Sequence, residues 1–110
     1  MINMNFEILP KLCDKFEFSY AMVLSNKADL MWDSGNPESL EHPSLKTILF
    51  GEPDRVLQLF EIIVDYQIYT QGNTCCIAIH YQDWMLGFFT DKPSFDLNRA
   101  ARWIYASFKD

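Results

Sequence analysis

Cysteine, histidine and aspartate are the residues of this 110-residue chain that could do chemistry, and their spacing decides whether they do. A metal ion needs His, Cys or carboxylate groups at compact spacing. His42, His80, Cys13, Cys75 and Cys76 show none of the usual ligand-pair spacings. Cys76 and His80 share one face of a strand, but four residues along a strand is roughly 13 Å, too far for one ion. The same distance defeats them as a thiol–imidazole nucleophile pair. The four glycines are ungrouped, so no phosphate cradle forms ahead of a helix. Asp29, Asp33 and Asp83 fall at turns, where aspartate serves the local backbone. Trp32 and Trp84 fit a ligand pocket or an interface, although core packing is the commoner explanation. The expectation is no catalytic residue, no cofactor and no metal, hence not an enzyme.

The elements that would position these residues can be read from apolar spacing. Residues 66–71 form a strand closed by Gly72-Asn73. Residues 74–81 alternate, with Cys75, Ile77, Ile79 and Tyr81 on one face and Thr74, Cys76, Ala78 and His80 on the other. The small residues of the second face would let a helix approach closely. A turn at Gln82-Asp83 leads into residues 84–90, where Gly87 between large neighbours marks a close backbone approach or a bulge. Ser94 is expected to cap a closing helix, with Leu97, Ala101, Ile104 and Phe108 as its core stripe and Lys109 near its negative end.

Earlier in the chain, Pro10 suits the first turn of a short helix over residues 10–15. Residues 17–25 are apolar on both faces, which predicts an interior strand. A turn at Asn26-Lys27 leads to a second strand over 28–33, stopped by Asp33-Ser34-Gly35-Asn36-Pro37. A helical region follows over 38–49, and Gly51-Glu52-Pro53 interrupts it. Pro53 restarts a helix over 54–66 whose polar residues, Asp54, Gln58, Glu61 and Asp65, make one narrow stripe. A helix covered by one sheet and otherwise wet should be polar over a wider arc. Two readings follow: a second chain covers it, or its own chain does. The β-branched stretch 60–66 also reads as a strand.

Composition sets bounds. The length suits one domain, residues 1–110. Apolar residues make up 49% and aromatics 15%, so core material is ample, and some aromatics would lie at the surface against another chain or simply exposed. The net charge of −6 and pI near 4.7 repel phosphate backbones, which disfavours nucleic acid. The nine basic residues are dispersed along the sequence and form no run to grip an anionic membrane. Three cysteines, two adjacent, make a poor disulfide framework. They read as reduced, buried residues of a cytoplasmic protein. Residues 1–10 do not look like a signal peptide, and no apolar run reaches a membrane span, so no membrane insertion is expected.

The order α-β-β-α-β-β-β-α gives a five-stranded antiparallel sheet with helices on both faces, an α+β fold of the profilin-like type. The chain resembles the roadblock/dynein light chain family. The resemblance rests on the hairpin over residues 21–35, the central helix ending near Asp65, and Gly72-Asn73 between two strands. It rests also on Asp83-Trp84-Met85-Leu86-Gly87-Phe88-Phe89 as a last strand and on Asp96-Leu97-Asn98-Arg99-Ala100-Ala101-Arg102 as the start of the closing helix. Asn98 stands where the family often has glycine, and the Gly51–Pro53 break departs from its smoother central helix.

The resemblance implies non-catalytic work: pairing through the central helix and its adjacent strand, as a scaffold or regulator of small Ras-like GTPases or a part of motor complexes. Carried onto this chain, the pairing surface is Val56, Leu59, Phe60 and Ile63 with the edge strand, including Tyr66 and Ile68. The partner would be a second copy or a paralogue. Two further readings are an immunity or antitoxin-type protein that neutralises a basic toxin, and a ligand-sensing profilin-like domain with a polar-lined cavity.

Overall fold

The computed structural model describes residues 6–92 and 96–108. Nine residues form the first helix, α1, Ile8–Phe16, with Pro10 in its first turn, where a missing N–H costs nothing. Glu17 ends it in the left-handed region, φ 57°. The strand expected to begin there therefore begins later, at β1, Tyr20–Ser25. Ala28, φ 65°, lengthens the next turn, and β2 runs Leu30–Asp33 rather than from residue 28. The expected helical region over 38–49 divides into a 3-10 turn, Pro37–Ser39, and α2, Ser44–Phe50.

The largest departure is α3, Pro53–Ile62. It stops three residues after its last buried residue, Leu59, because Ile63 is extended at φ −89°, ψ 116°. Neither a helix to residue 66 nor a strand from residue 60 forms. Ile63 instead leaves the helix and buries its side chain, 3% exposed, while Val64 is left 85% exposed. The three remaining strands match their expected bounds: β3 Tyr66–Gln71, β4 Thr74–Tyr81 and β5 Trp84–Thr90.

The closing helix, α4, is Leu97–Phe108. The expected cap Ser94 and the basic Lys109 lie outside the described residues. Asp96 performs the capping, its Oδ1 accepting from the Arg99 amide at 3.2 Å.

The strands make one antiparallel sheet in the order β2-β1-β5-β4-β3. Its two faces carry separate cores. Against α2 and α3 lie Tyr20, Met22, Cys76, Ala78, Met85 and Phe89. Against α1 and α4 lie Ala21, Val23, Ile77, Ile79, Leu86 and Phe88. The alternation read from the sequence is the physical reason, since successive side chains leave opposite faces of a strand. Cys76 and Ala78, the small residues of that face, share its core with Val56, Leu59 and Ile63.

Gly87 pairs in unbroken register with Met22 and Ala78, so it is a close approach and not a bulge. A Cβ there would stand 2.9 Å from Phe50 Cε2. The end of α2 packs against bare backbone at this point.

A polar staple fixes the start of α2. The Asp91 carboxylate accepts from the Glu41 amide at 2.8 Å and from the Thr74 hydroxyl. Thr74 Oγ1 in turn accepts from the His42 amide at 3.0 Å. Thr74 is fully buried, so these bonds satisfy a group that would otherwise cost about 1–3 kcal/mol.

Candidate functional site

Both ends of a sheet offer unpaired backbone groups, and the two ends of this one differ. β2 is four residues long, and its register with β1 shifts between Val23 and Leu24. Such a bulge spoils an edge as a pairing template. β3 is six residues long and pairs with β4 without interruption.

The direction of the open groups on β3 follows from one bond. The His80 amide donates to Asp65 O at 2.8 Å, so Asp65 and His80 are a hydrogen-bonded pair. Alternation along an antiparallel ladder then turns Gln67, Tyr69 and Gln71 toward β4. Tyr66, Ile68 and Thr70 present their N–H and C=O groups outward. Asp65 Oδ1 takes the Tyr66 amide at 2.6 Å, which seals the first open donor. Among the described residues, the Ile68 and Thr70 donors remain open along the edge.

α3 lies beside this edge on one face of the sheet, and its burial divides the expected pairing residues. Val56, Leu59 and Ile63 are at most 3% exposed and belong to the core of their own chain. Phe60 is half-buried, its ring edge-on to His80 at 4.9 Å. Tyr66 and Ile68 are half-buried against the α4 face. The solvent side of α3 carries the polar stripe of Asp54, Gln58 and Glu61, flanked by exposed Leu57 and by Ile62, which is 61% exposed. Sequence spacing finds the polar stripe within a helix over 54–66 but does not separate its exposed apolar borders from the buried side.

His80 fastens the corner between helix and edge. Its Nδ1 lies 2.7 Å from Ile63 O and its Nε2 lies 3.0 Å from Gln82 O. The ring thus ties the residue that ends α3 to the turn between β4 and β5.

The thiols are built to stay quiet. All three cysteines are free. Burial, with the neighbouring Asp14 charge second, pushes Cys13 up to about 11 from an ordinary 9.0. Burial also raises Cys75, and Cys76 well above 9.0. Thiols held neutral are poor nucleophiles. Burial raises Tyr20 too, followed by the Asp33 carboxylate to which its hydroxyl donates at 3.1 Å. Among the described residues, no three His, Cys, Asp or Glu side chains gather to hold a metal ion, and no helix is long and apolar enough to cross a membrane.

These shifts carry a pH dependence. Each group is an acid whose folded pKa exceeds its unfolded one, so the unfolded chain loses the proton first as pH rises. The resulting stabilisation is complete below about pH 9 and lost as pH climbs through the thiol and phenol range. Urea melts should give the same midpoint at pH 7 and 8 and a clearly lower one at pH 10.5. An unchanged midpoint at pH 10.5 would contradict the burial of these groups.

The fold is roadblock-like: a five-stranded antiparallel sheet with α2 and α3 on one face and α1 and α4 on the other. The same fold is found in solved structures of the bacterial protein MglB. The chain is similar to "Myxococcus xanthus MglB" with a TM-score of 0.56 and 12% identity, covering 90% of this chain and 89% of that one. Its similarity to the gliding protein MglB from Thermus thermophilus has a TM-score of 0.59 at 12% identity, over 92% of this chain and 78% of that one. A third structure, "MglB with tetrameric arrangement", gives 0.52 at 12% identity, over 91% and 84%. No protein-family model and no curated protein matches the chain.

Proposed function

We propose that this chain is a non-catalytic pairing module that scaffolds or regulates a partner protein. The observation that carries the reading is β3, an uninterrupted edge whose Ile68 and Thr70 donors are unpaired among the described residues, beside a helix bordered by exposed Leu57 and Ile62. Two copies meeting at this edge would continue one sheet across both chains, and α3 of each would cover the apolar border of the other. Phe60, Tyr66 and Ile68 belong to this surface. Val56, Leu59 and Ile63 support it from beneath.

The tetrameric arrangement of one MglB structure is consistent with a module that assembles. The resemblance to the roadblock family makes a small Ras-like GTPase the first partner to try. The acidic character of the chain favours a basic face on that partner.

Ile62→Asp tests the reading without touching the core, because Ile62 is 61% exposed. Light scattering at micromolar concentration should report a dimer for the unaltered chain. The variant should fall toward the monomer mass with an unchanged circular dichroism spectrum. Identical masses for the two proteins would remove α3 from the interface.

A further inference from the structure

Arg99 and Trp103 stand four residues apart on α4, so they share one side of the helix. With Asp96 and Ala100 they look across a groove of about 360 Å³ to Lys15 and Phe16 at the end of α1. Ala100 is buried, whereas Trp103 is left 46% exposed. The Phe16 ring meets Trp103 edge-on at 5.4 Å, and Lys15 Nζ lies 4.9 Å from its ring centroid. That contact holds the Lys15 ammonium at the groove without using its N–H donors on an acceptor. The Arg99 side chain is exposed, and among the described residues neither Lys15 nor Arg99 makes an ion pair. Asp96 is the one carboxylate among the described lining residues, and its Oδ1 already accepts from the Arg99 amide. Asp14, beside Lys15 in sequence, lines a different groove with Pro10 and Cys13.

We propose that this groove docks an acidic segment of a partner protein, with carboxylates on Lys15 and Arg99 and an apolar side chain against Trp103. Charge complementarity selects the occupant. Two cations from different helices stand beside a single carboxylate that already serves as a helix cap, so the groove offers charged donors in excess of acceptors. A basic segment would meet two like charges there. The guanidinium of Arg99 forks onto a carboxylate, and Lys15, pinned over the indole, loses little further freedom on binding. Arginine and tryptophan are also the residue types that dominate binding energy where protein surfaces meet. The chain carries −6, but much of that charge sits across the sheet. Glu52, Asp54, Glu61 and Asp65 lie in or beside α3, where Arg55 is the one basic residue. The groove volume lies at the low end of the 300–1,000 Å³ or so typical of ligand clefts, which suits a few side chains rather than a folded element.

This surface lies on the sheet face opposite α3, so the proposal stands whether or not the chain pairs. Its test uses the peptide acetyl-Gly-Glu-Ser-Leu-Ser-Glu-Gly-amide, labelled with a fluorophore, and the same peptide with glutamine for both glutamates. Alternate residues of an extended chain share one side, so both carboxylates and the leucine can reach the groove together. Fluorescence anisotropy should show the glutamate peptide binding at least tenfold more tightly than the glutamine peptide. The double variant Lys15→Gln, Arg99→Gln should abolish the preference, and Trp103→Ala should weaken the binding of both peptides. Lys27→Gln, on the turn between β1 and β2, should change neither. Circular dichroism confirms that the variants are folded. Equal affinity for the two peptides, no measurable binding of either up to millimolar concentration, or an unaltered preference in the double variant would overturn the proposal. Inorganic phosphate or free glutamate competing as well as the peptide would also overturn it, because the groove would then be a small-anion site.

Discussion

Phe89→Ala will lower the folding stability of this chain by about 3–5 kcal/mol, the range for emptying a buried aromatic site. Phe89 is fully buried at the middle of the face that carries α2 and α3. Its ring meets Tyr20 at 5.8 Å and Phe50 at 6.1 Å, so it joins β1, β5 and the end of α2. The vacated space cannot be filled from Gly87, which has no side chain, and Phe50 is already pressed against that backbone. Domains of this size hold about 5–15 kcal/mol in total, so the loss is a large fraction of the whole. Urea unfolding followed by tryptophan fluorescence measures it. A change under about 1 kcal/mol would mean that the packing described here is loose.

The second large effect concerns assembly. Thr70→Pro removes one backbone donor, and the ladder phase sets which one: the amide that faces away from β4. Proline is tolerated on an edge strand where the lost N–H faces outward. The chain should therefore fold nearly as before, while pairing across β3 weakens by tenfold or more. The neighbouring Tyr69→Pro is the control. Its amide faces β4, so it should destabilise the fold itself. Analytical ultracentrifugation of the two variants separates these outcomes. Folded Thr70→Pro that still pairs with the affinity of the parent chain would place the interface elsewhere.

The sheet is legible in the sequence because its signal is local. Alternation in β4 and β5 and the two-residue turns at Gly72-Asn73 and Gln82-Asp83 define register without reference to anything distant. Gly87 stands out by its type and is explained only by Phe50, which arrives from α2. The end of α3 escapes sequence reasoning for a tertiary cause. Ile63 gains more by turning into the core, where His80 holds its carbonyl, than by continuing a helical repeat. The same cause hides the proposed pairing surface. The family resemblance nominates Val56, Leu59 and Ile63, and in a packed chain that apolar stripe belongs to the interior. What remains for a partner is the weaker apolar border, Leu57 and Ile62, and a row of backbone groups that no side-chain pattern announces. By spacing alone Asp33 reads as a turn residue, whereas in the fold its carboxylate accepts from the Tyr20 hydroxyl, thirteen residues away.

Amide hydrogen exchange, resolved by residue across a concentration series, tests the open edge most directly. In a lone chain the Ile68 and Thr70 amides face solvent, whereas Gln67 and Tyr69 are held by β4. The account predicts that Ile68 and Thr70 exchange fast at nanomolar concentration and slow sharply, together, as concentration rises into the micromolar range. Gln67 and Tyr69 should stay protected throughout. Rapid exchange at Ile68 and Thr70 at every concentration, with their neighbours protected, would contradict pairing through β3.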